Sequence, residues 1–189
     1  MRKRGAARMM LWSRIGVAIV AATASLAPGG ASAKSPLVGC DAFIENLRKI
    51  AADQQVDFVH SLVVSRARSN ANVFDITTNA EVDGTLTCGG DEMERFEARV
   101  AEPANARATS SFERFESAAL RAALGWDAAR ATTKLREMSD DAREYLAASK
   151  QRGDVYIAGK TEEHLPGAVG LGLIYTETDR ALIIVGPNS

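Results

Sequence analysis

The first strong pattern along the chain is an apolar run near the N-terminus. A basic segment ends at Arg14, and residues 15–26 are all apolar or small. A Pro-Gly-Gly break follows, and Ala31-Ser32-Ala33 has the small-x-small spacing that a signal peptidase accepts. The run is shorter than the ~20 residues of a membrane span, and no paired arginines precede it. The pattern predicts a cleaved secretory signal peptide over residues 1–33.

Beyond residue 33 the apolar period changes from helical to strand-like. A helix that begins near Asp41 is predicted by one apolar face: Phe43, Ile44, Leu47, Ile50 and Ala51. Four runs with a period of two follow, at residues 58–64, 73–78, 80–88 and 96–100. Their tight links are typical of an antiparallel meander with one solvated face.

Two helices are predicted between residues 110 and 153. Ser110-x-x-Glu113 has the form of a capping box that opens the first, Gly125 fits its C-cap, and Asp127 fits the N-cap of the second. The second helix has an apolar seam at spacings of three and four: Ala128, Ala131, Leu135, Met138, Ala142 and Tyr145. A seam this short favours a core-facing side, and a homodimer through helix 128–145 is the alternative.

The C-terminal part returns to a strand pattern. Val155-Tyr156-Ile157 begins one strand, Leu165-Pro166-Gly167 is a turn, and residues 169–176 and 181–185 form a hairpin. The last strand is apolar at every position, which is typical of burial on both faces. The order α-ββββ-αα-βββ predicts a single α+β domain over residues 34–189, an antiparallel sheet of about seven strands covered by helices.

Charge is divided unevenly along the chain. The sequence has 23 basic and 24 acidic residues, and five of the bases but none of the acids fall in residues 1–33. Residues 34–189 therefore have 18 bases against 24 acids, a net charge of about −6. Such a chain is poorly suited to nucleic-acid phosphates, and it has no second apolar run long enough for a membrane span. We expect a periplasmic or secreted location after bacterial Sec-type export, no nucleic-acid partner, and no transmembrane segment in the mature chain.

Cys40 and Cys88 are the two cysteines of the sequence. In an exported chain this even, minimal count predicts one intramolecular disulfide between them. A second interpretation is that Leu37-Val38-Gly39-Cys40 is a lipoprotein box, with Cys40 lipidated. Because Lys34 and Pro36 separate that box from the apolar run, the disulfide is favoured.

The sequence contains none of the common catalytic motifs. It has no Gly-x-Ser-x-Gly elbow, no HExxH, no Gly-x-x-x-x-Gly-Lys phosphate loop and no CxxCH. No cofactor and no metal are expected. The catalytic candidates are the two histidines, His60 and His164. His164 follows Glu162 and Glu163 in a predicted loop, where two carboxylates and an imidazole are an alternative metal set, although a solvated acidic loop is favoured.

Three glycines near the last strands are the remaining candidates. Gly167, Gly170 and Gly172 remove side chains from that stretch, so a partner backbone or a ligand can approach it closely. They predict a partner edge for strand addition, or an apolar ligand held between helices and sheet.

Export, small size and one disulfide favour a non-enzymatic binding or protein-interaction module of the cell envelope. Its expected partner is an envelope protein or peptide. The alternative is a small metal-assisted periplasmic enzyme that uses His164 or His60 with nearby carboxylates.

Overall fold

A computed structural model of the protein describes residues 37–53, 62–68, 70–78, 82–101, 105–154, 158–176 and 179–187. These residues all belong to the unit Ala33–Ser189. Three helices are described: α1 (Cys40–Asp53), α2 (Ala106–Leu124) and α3 (Ala128–Arg152). Seven strands are described: β1 (Val63–Arg66), β2 (Val73–Thr77), β3 (Val82–Gly89), β4 (Glu92–Ala101), β5 (Gly159–Leu165), β6 (Val169–Tyr175) and β7 (Asp179–Val185).

The predicted α+β class and the order α-ββββ-αα-βββ are confirmed. The strands form one antiparallel sheet in the order β1-β2-β3-β4-β7-β6-β5. After β4 the chain leaves the sheet, forms α2 and α3, and returns at the far edge as β5. The last strand, β7, therefore lies beside β4, with Ala98 opposite Leu182.

Burial alternates along the strands because the helices pack on one face of the sheet. On that side α2 contacts β3 and β4, and α3 contacts β5 and β6. In β7, Leu182 and Ile184 are buried, whereas Ile183 and Val185 are half-buried on the other face. The prediction that this strand is buried on both faces is wrong. Its apolar outer residues lie between strands on both sides, so a central strand can be apolar throughout with one face covered.

The core beneath α1 and α2 is built around three phenylalanines. The ring centroid of Phe43 lies 5.0 Å from that of Phe96, and Phe96 lies 6.2 Å from Phe115. These contacts join α1, β4 and α2 in one apolar layer. The buried positions include the helix faces that the sequence predicted, with Leu47 and Phe112 fully enclosed.

The caps of α2 and α3 explain where these helices begin and end. The Asn105 side chain accepts from the backbone N–H groups of Arg107 and Ala108, so α2 begins before Ser110 and the predicted capping box is wrong. Its C-cap is Gly125, at φ 65°, as predicted. The predicted Asp127 N-cap of α3 is also confirmed, because its carboxylate accepts from the Arg130 N–H at 2.7 Å.

Cys40 and Cys88 form the predicted disulfide. It joins the first turn of α1 to the end of β3 across a sequence separation of 48 residues. A loop of that length removes chain entropy worth about 4 kcal/mol in the simplest treatment. A cysteine in this bond has no thiol for lipid attachment, so the bond is incompatible with the lipidation alternative at Cys40.

The apolar seam of α3 faces the interior of this chain. Ala131, Leu135, Met138 and Ala142 are all buried, while the two ends of the predicted seam, Ala128 and Tyr145, are exposed. The core-facing interpretation is confirmed, and the four buried residues are not accessible to a second copy in this structure. The backbone of α3 lies so close to β5 that a Cβ atom on Gly159 would collide with the Ala142 carbonyl oxygen. Within the described ranges, no helix is long and apolar enough to cross a membrane.

Candidate functional site

A cleft of about 210 Å³ lies between α2 and α3, with β7 at its floor. Most of its lining side chains are charged or hydroxylated. From α2 come Glu113, Glu116 and Ser117, from α3 come Thr132, Leu135, Arg136, Ser139, Asp140 and Arg143, and from β7 comes Arg180.

The centre of the cleft is an ion pair between Glu116 and Arg180. Glu116 lies on the apolar side of α2 and is 0% exposed, and Arg180 is 2% exposed at the start of β7. Arg180 Nη2 donates to Glu116 Oε2 at 2.6 Å, and Nη1 donates to Glu113 Oε1 at 3.0 Å. One guanidinium thus bridges two carboxylates that are three residues apart on α2.

Two aromatic rings fix the plane of that guanidinium. Its central carbon lies 4.7 Å from the centroid of Tyr175 and 5.5 Å from that of Phe112. The Tyr175 hydroxyl donates in turn to Ser139 Oγ at 2.9 Å, which ties β6 to α3. Contacts from α2 and β6 therefore hold Arg180 in one orientation, and α3 anchors the Tyr175 ring through Ser139.

Burial decides the protonation of this pair. It raises the pKa of Glu116 to about 7, although the charge and hydrogen bond of Arg180 act in the opposite direction. Burial also opposes the charge of Arg180, but the charges of Glu116 and Tyr175 and the hydrogen bond that Arg180 donates to Glu113 outweigh it and raise the pKa of the guanidinium. Arg180 therefore stays charged, while Glu116 exchanges its proton near neutral pH.

Glu116 retains one hydrogen-bonding position. Its Oε1 atom is buried and has no hydrogen-bond partner among the described residues, and the same is true of Arg180 Nε. A buried carboxylate oxygen without a partner is costly, and a functional role is one of the reasons for which native structures retain such atoms. At the cleft mouth, Arg143 forms a long ion pair of 3.8 Å with Asp140, and its guanidinium carbon lies 5.8 Å from the centroid of the Tyr175 ring.

The three residues predicted as a metal set do not share one face of the sheet. His164, Glu162 and Glu163 lie in β5, so the predicted loop is wrong. Strand alternation puts Glu163 on the opposite face from its two neighbours, where it pairs with Lys134 at 2.9 Å. The described residues contain no group of three or more His, Cys, Asp or Glu side chains that could hold a metal. His60 lies outside the described residues.

The three glycines do not lie at an edge of the sheet. Gly170 and Gly172 belong to β6, which is paired with β5 on one side and β7 on the other, so the predicted partner edge is wrong there. Gly167 is in the preceding turn, at φ 84°. Because Gly170 and Gly172 lack side chains, the backbone of β6 forms the floor of a shallow groove on the uncovered face, beside Ile183 and Val185.

Glu116 and Arg180, at the centre of the cleft, are not among the residues that the sequence motifs predicted. Both carry a signal: Glu116 falls on the same helix face as Phe112 and Ala119, and Arg180 falls on the same strand face as Leu182. A charge in a buried register is a candidate site residue even when no motif surrounds it. A scan against protein-family models and searches of curated proteins and solved structures found no match for this chain.

Proposed function

We propose that this protein is an exported, non-enzymatic binding protein whose α2–α3 cleft holds a small polar ligand. The observation that carries the proposal is Glu116, a fully buried carboxylate with an unpartnered oxygen, in the wall of a charged cleft. A ligand that donates to this oxygen would remove the cost of leaving it unpaired.

The form of the cleft supports binding of a small molecule. Convergent polar groups in a concave site are what orients a bound ligand, and here Arg180 is held rigidly while Ser117, Thr132 and Ser139 add hydroxyl groups. The volume of about 210 Å³ is below the roughly 300–1,000 Å³ of sites for drug-sized ligands. The ligand is therefore a small metabolite rather than a folded partner.

Native mass spectrometry tests this proposal. The full chain is expressed in a bacterial host, and the purified protein is incubated with the low-mass fraction of an envelope extract. We expect a small-molecule adduct on the wild type. Thr132→Trp, whose indole would fill the cleft, should lose the adduct, whereas Thr133→Trp, at the neighbouring exposed position outside the cleft lining, should retain it.

Two results would count against the cleft as the binding site. An adduct that persists in the Thr132→Trp variant would place the ligand elsewhere on the molecule. If no low-mass adduct forms on the wild type at any extract concentration, the binding function itself is overturned.

Export is the second part of the proposal. The signal-peptide pattern of residues 1–33 supports it, and the disulfide is typical of an oxidising compartment. The intact mass of protein from the periplasmic fraction should correspond to a chain that begins at Lys34. A chain that retains Met1 would contradict signal-peptide cleavage.

The other functional predictions gain no support from a particular contact. The metal-assisted enzyme that uses His164 or His60 stays a prediction. The envelope protein or peptide partner also stays a prediction, since the exposed large apolar residues of the described chain, Val63 and Tyr145, lie on different elements. Mild crosslinking in the envelope, followed by purification, checks that partner directly.

A further inference from the structure

The charged side chains that line the cleft indicate which class of small molecule it binds. This inference rests on the proposed function. We propose that the cleft holds a small zwitterion of amino-acid size. Its ammonium group donates to Oε1 of Glu116, and its carboxylate pairs with the guanidinium of Arg143.

The ammonium is assigned from the state of Glu116. Oε2 already accepts from Arg180 at 2.6 Å, so Oε1 is the oxygen with capacity for a ligand. A ligand group that meets it must be a donor, and an ammonium forms the stronger, charge-assisted bond with a carboxylate. A ligand anion at this position would be repelled by both Glu116 and Glu113.

The carboxylate is assigned from the side chains of α3. Arg143 is 57% exposed at the cleft mouth, and its 3.8 Å pair with Asp140 leaves guanidinium donors for a ligand. A guanidinium matches a carboxylate in a bidentate geometry. Arg143 and Glu116 line the same cleft of about 210 Å³, so both can act on one small molecule.

Charge balance and size agree with this class. The lining has three acidic and three basic side chains: Glu113, Glu116, Asp140, Arg136, Arg143 and Arg180. A ligand with separated charges and no net charge matches such a lining better than a simple anion or cation does. The cleft volume of about 210 Å³, below that of sites for drug-sized ligands, suits a molecule of amino-acid size.

The ligand has to displace side chains to reach the carboxylate. Glu116 itself has no exposed surface, but the side chains of Glu113 and Arg143 at the mouth are 51% and 57% exposed. Exposed side chains change rotamer within nanoseconds, so such a rearrangement is fast.

Isothermal titration calorimetry with three matched compounds tests the proposal. L-serine has both charged groups, 3-hydroxypropionate lacks the amine, and ethanolamine lacks the carboxylate. L-serine is chosen because the hydroxyls of Ser117, Thr132 and Ser139 can bond its own. We expect L-serine to bind and each analogue to bind about 10- to 100-fold more weakly, the effect of losing one charge-assisted hydrogen bond.

Substitutions test which residue binds each of the two charged groups of L-serine. Glu116→Gln and Arg143→Gln should each weaken L-serine binding by about 10- to 100-fold. Arg130→Gln, on the same helix but stacked over Trp126 outside the cleft, should leave it unchanged. Circular dichroism verifies that each variant is folded.

The pH dependence of L-serine binding to the wild type tests the role of Glu116 without relying on a variant that has to fold. Affinity for L-serine should increase as the pH is raised from 5.5 to 7.5, because Glu116 ionises in this range. The charged and titratable groups that face Glu116 are Arg180 from β7, Glu113 from α2, Arg143 from α3 and Tyr175 from β6. An affinity that is constant over this range would overturn the role of Glu116.

Other outcomes separate this inference from the proposed function. Equal binding of 3-hydroxypropionate would remove the ammonium contact, and equal binding of ethanolamine would remove the carboxylate contact. If neither L-serine nor any other standard amino acid binds, the zwitterion is wrong. An extract adduct that Thr132→Trp abolishes would then still support the binding function.

Discussion

Each face of the sheet has an ion pair between a basic residue and a glutamate, and the pKa of the glutamate is shifted in opposite directions in the two pairs. On the covered side, Arg180 pairs with Glu116, and their side chains are 3% and 0% exposed. On the uncovered side, Lys160 pairs with Glu162 at 2.5 Å, and their side chains are 55% and 60% exposed. The hydrogen bond from Lys160 lowers the pKa of Glu162, whereas burial raises that of Glu116 despite its partner.

The comparison shows that environment decides what an ion pair does. Water screens the exposed pair, which leaves its acid ionised and chemically ordinary. In the buried pair, Glu116 exchanges its proton near neutral pH, and its Oε1 atom can accept a hydrogen bond from a ligand. The difference between the two faces is therefore the basis for placing the binding site at α2 and α3.

The largest expected effect is on the buried pair. Arg180→Ala should lower the free energy of unfolding by about 3–5 kcal/mol at pH 8, because the buried Glu116 then either stays charged without its partner or has to take up a proton on folding. Urea unfolding measures this change. Lys160→Ala, on the uncovered face, is the matched control and should have little effect. Equal losses in the two variants would mean that burial does not distinguish the pairs.

The pH dependence of stability is the next largest effect. The native pKa of Glu116, about 7, is above its ordinary value of 4.5, so the folded state holds more protons between these pH values. The contribution is fully present below pH 4.5 and is lost as the pH rises through 7. Relative to Glu116→Gln, the unfolding free energy of the wild type should fall by about 3 kcal/mol from pH 4.5 to 7.5.

Glu162→Gln is the control for this dependence of the unfolding free energy on pH. Because Lys160 lowers the pKa of Glu162, its contribution has the opposite sign: it is present at neutral pH and is lost on acidification. Denaturant midpoints across the same pH range measure both slopes. Parallel curves for the wild type and Glu116→Gln would show that Glu116 ionises at its ordinary pH.

A smaller effect compares two glycines. Gly159→Ala places a Cβ atom against the Ala142 carbonyl of α3 and should cost about 1–3 kcal/mol, as overpacking does. Gly172→Ala places its Cβ 3.6 Å from that of Ile183, an ordinary contact, and should be neutral or slightly stabilising. Thermal unfolding of the two variants decides the matter. If Gly172→Ala were the more damaging, the uncovered face would be packed more tightly than described.

The smallest effect is expected at His164. Its side chain is exposed in β5, so His164→Ala should change the unfolding free energy by less than about 0.5 kcal/mol. Zinc titration of the same variant by calorimetry checks the metal alternative. A zinc affinity that disappears with His164 would revive that alternative.

Local patterns made most elements predictable. Alternation with a period of two marked β3, and Gly125, Asp127 and Gly153 marked helix ends through conformations that depend on neighbouring residues alone. The sequence pattern predicted a loop at His164 because β5, an edge strand of the described sheet, is rich in charged residues. Charged residues protect such an edge from aggregation, but the same composition is typical of a solvated loop.

The site depended on contacts that local patterns do not specify. Glu116 and Arg180 are 64 residues apart, and each is one charge on an otherwise apolar face. The sequence shows that each falls in a buried register, but their meeting depends on β7 pairing with β4 while α2 lies above. That pairing is a result of the whole sheet, so the cleft was not predictable from either segment.

The position of β7 also bears on the order in which the protein assembles. It is the last of the described strands along the chain, yet it joins two meanders, β1–β4 and β5–β7, through pairs such as Val100 with Arg180. Contacts between such distant residues form slowly, and they need the C-terminal residues to be present. The Cys40–Cys88 bond lies within the part of the chain that precedes α2, so it does not depend on β7, whereas the sheet becomes continuous only when β7 pairs with β4. The two constraints that hold β3 and β4 in place are therefore separable in time.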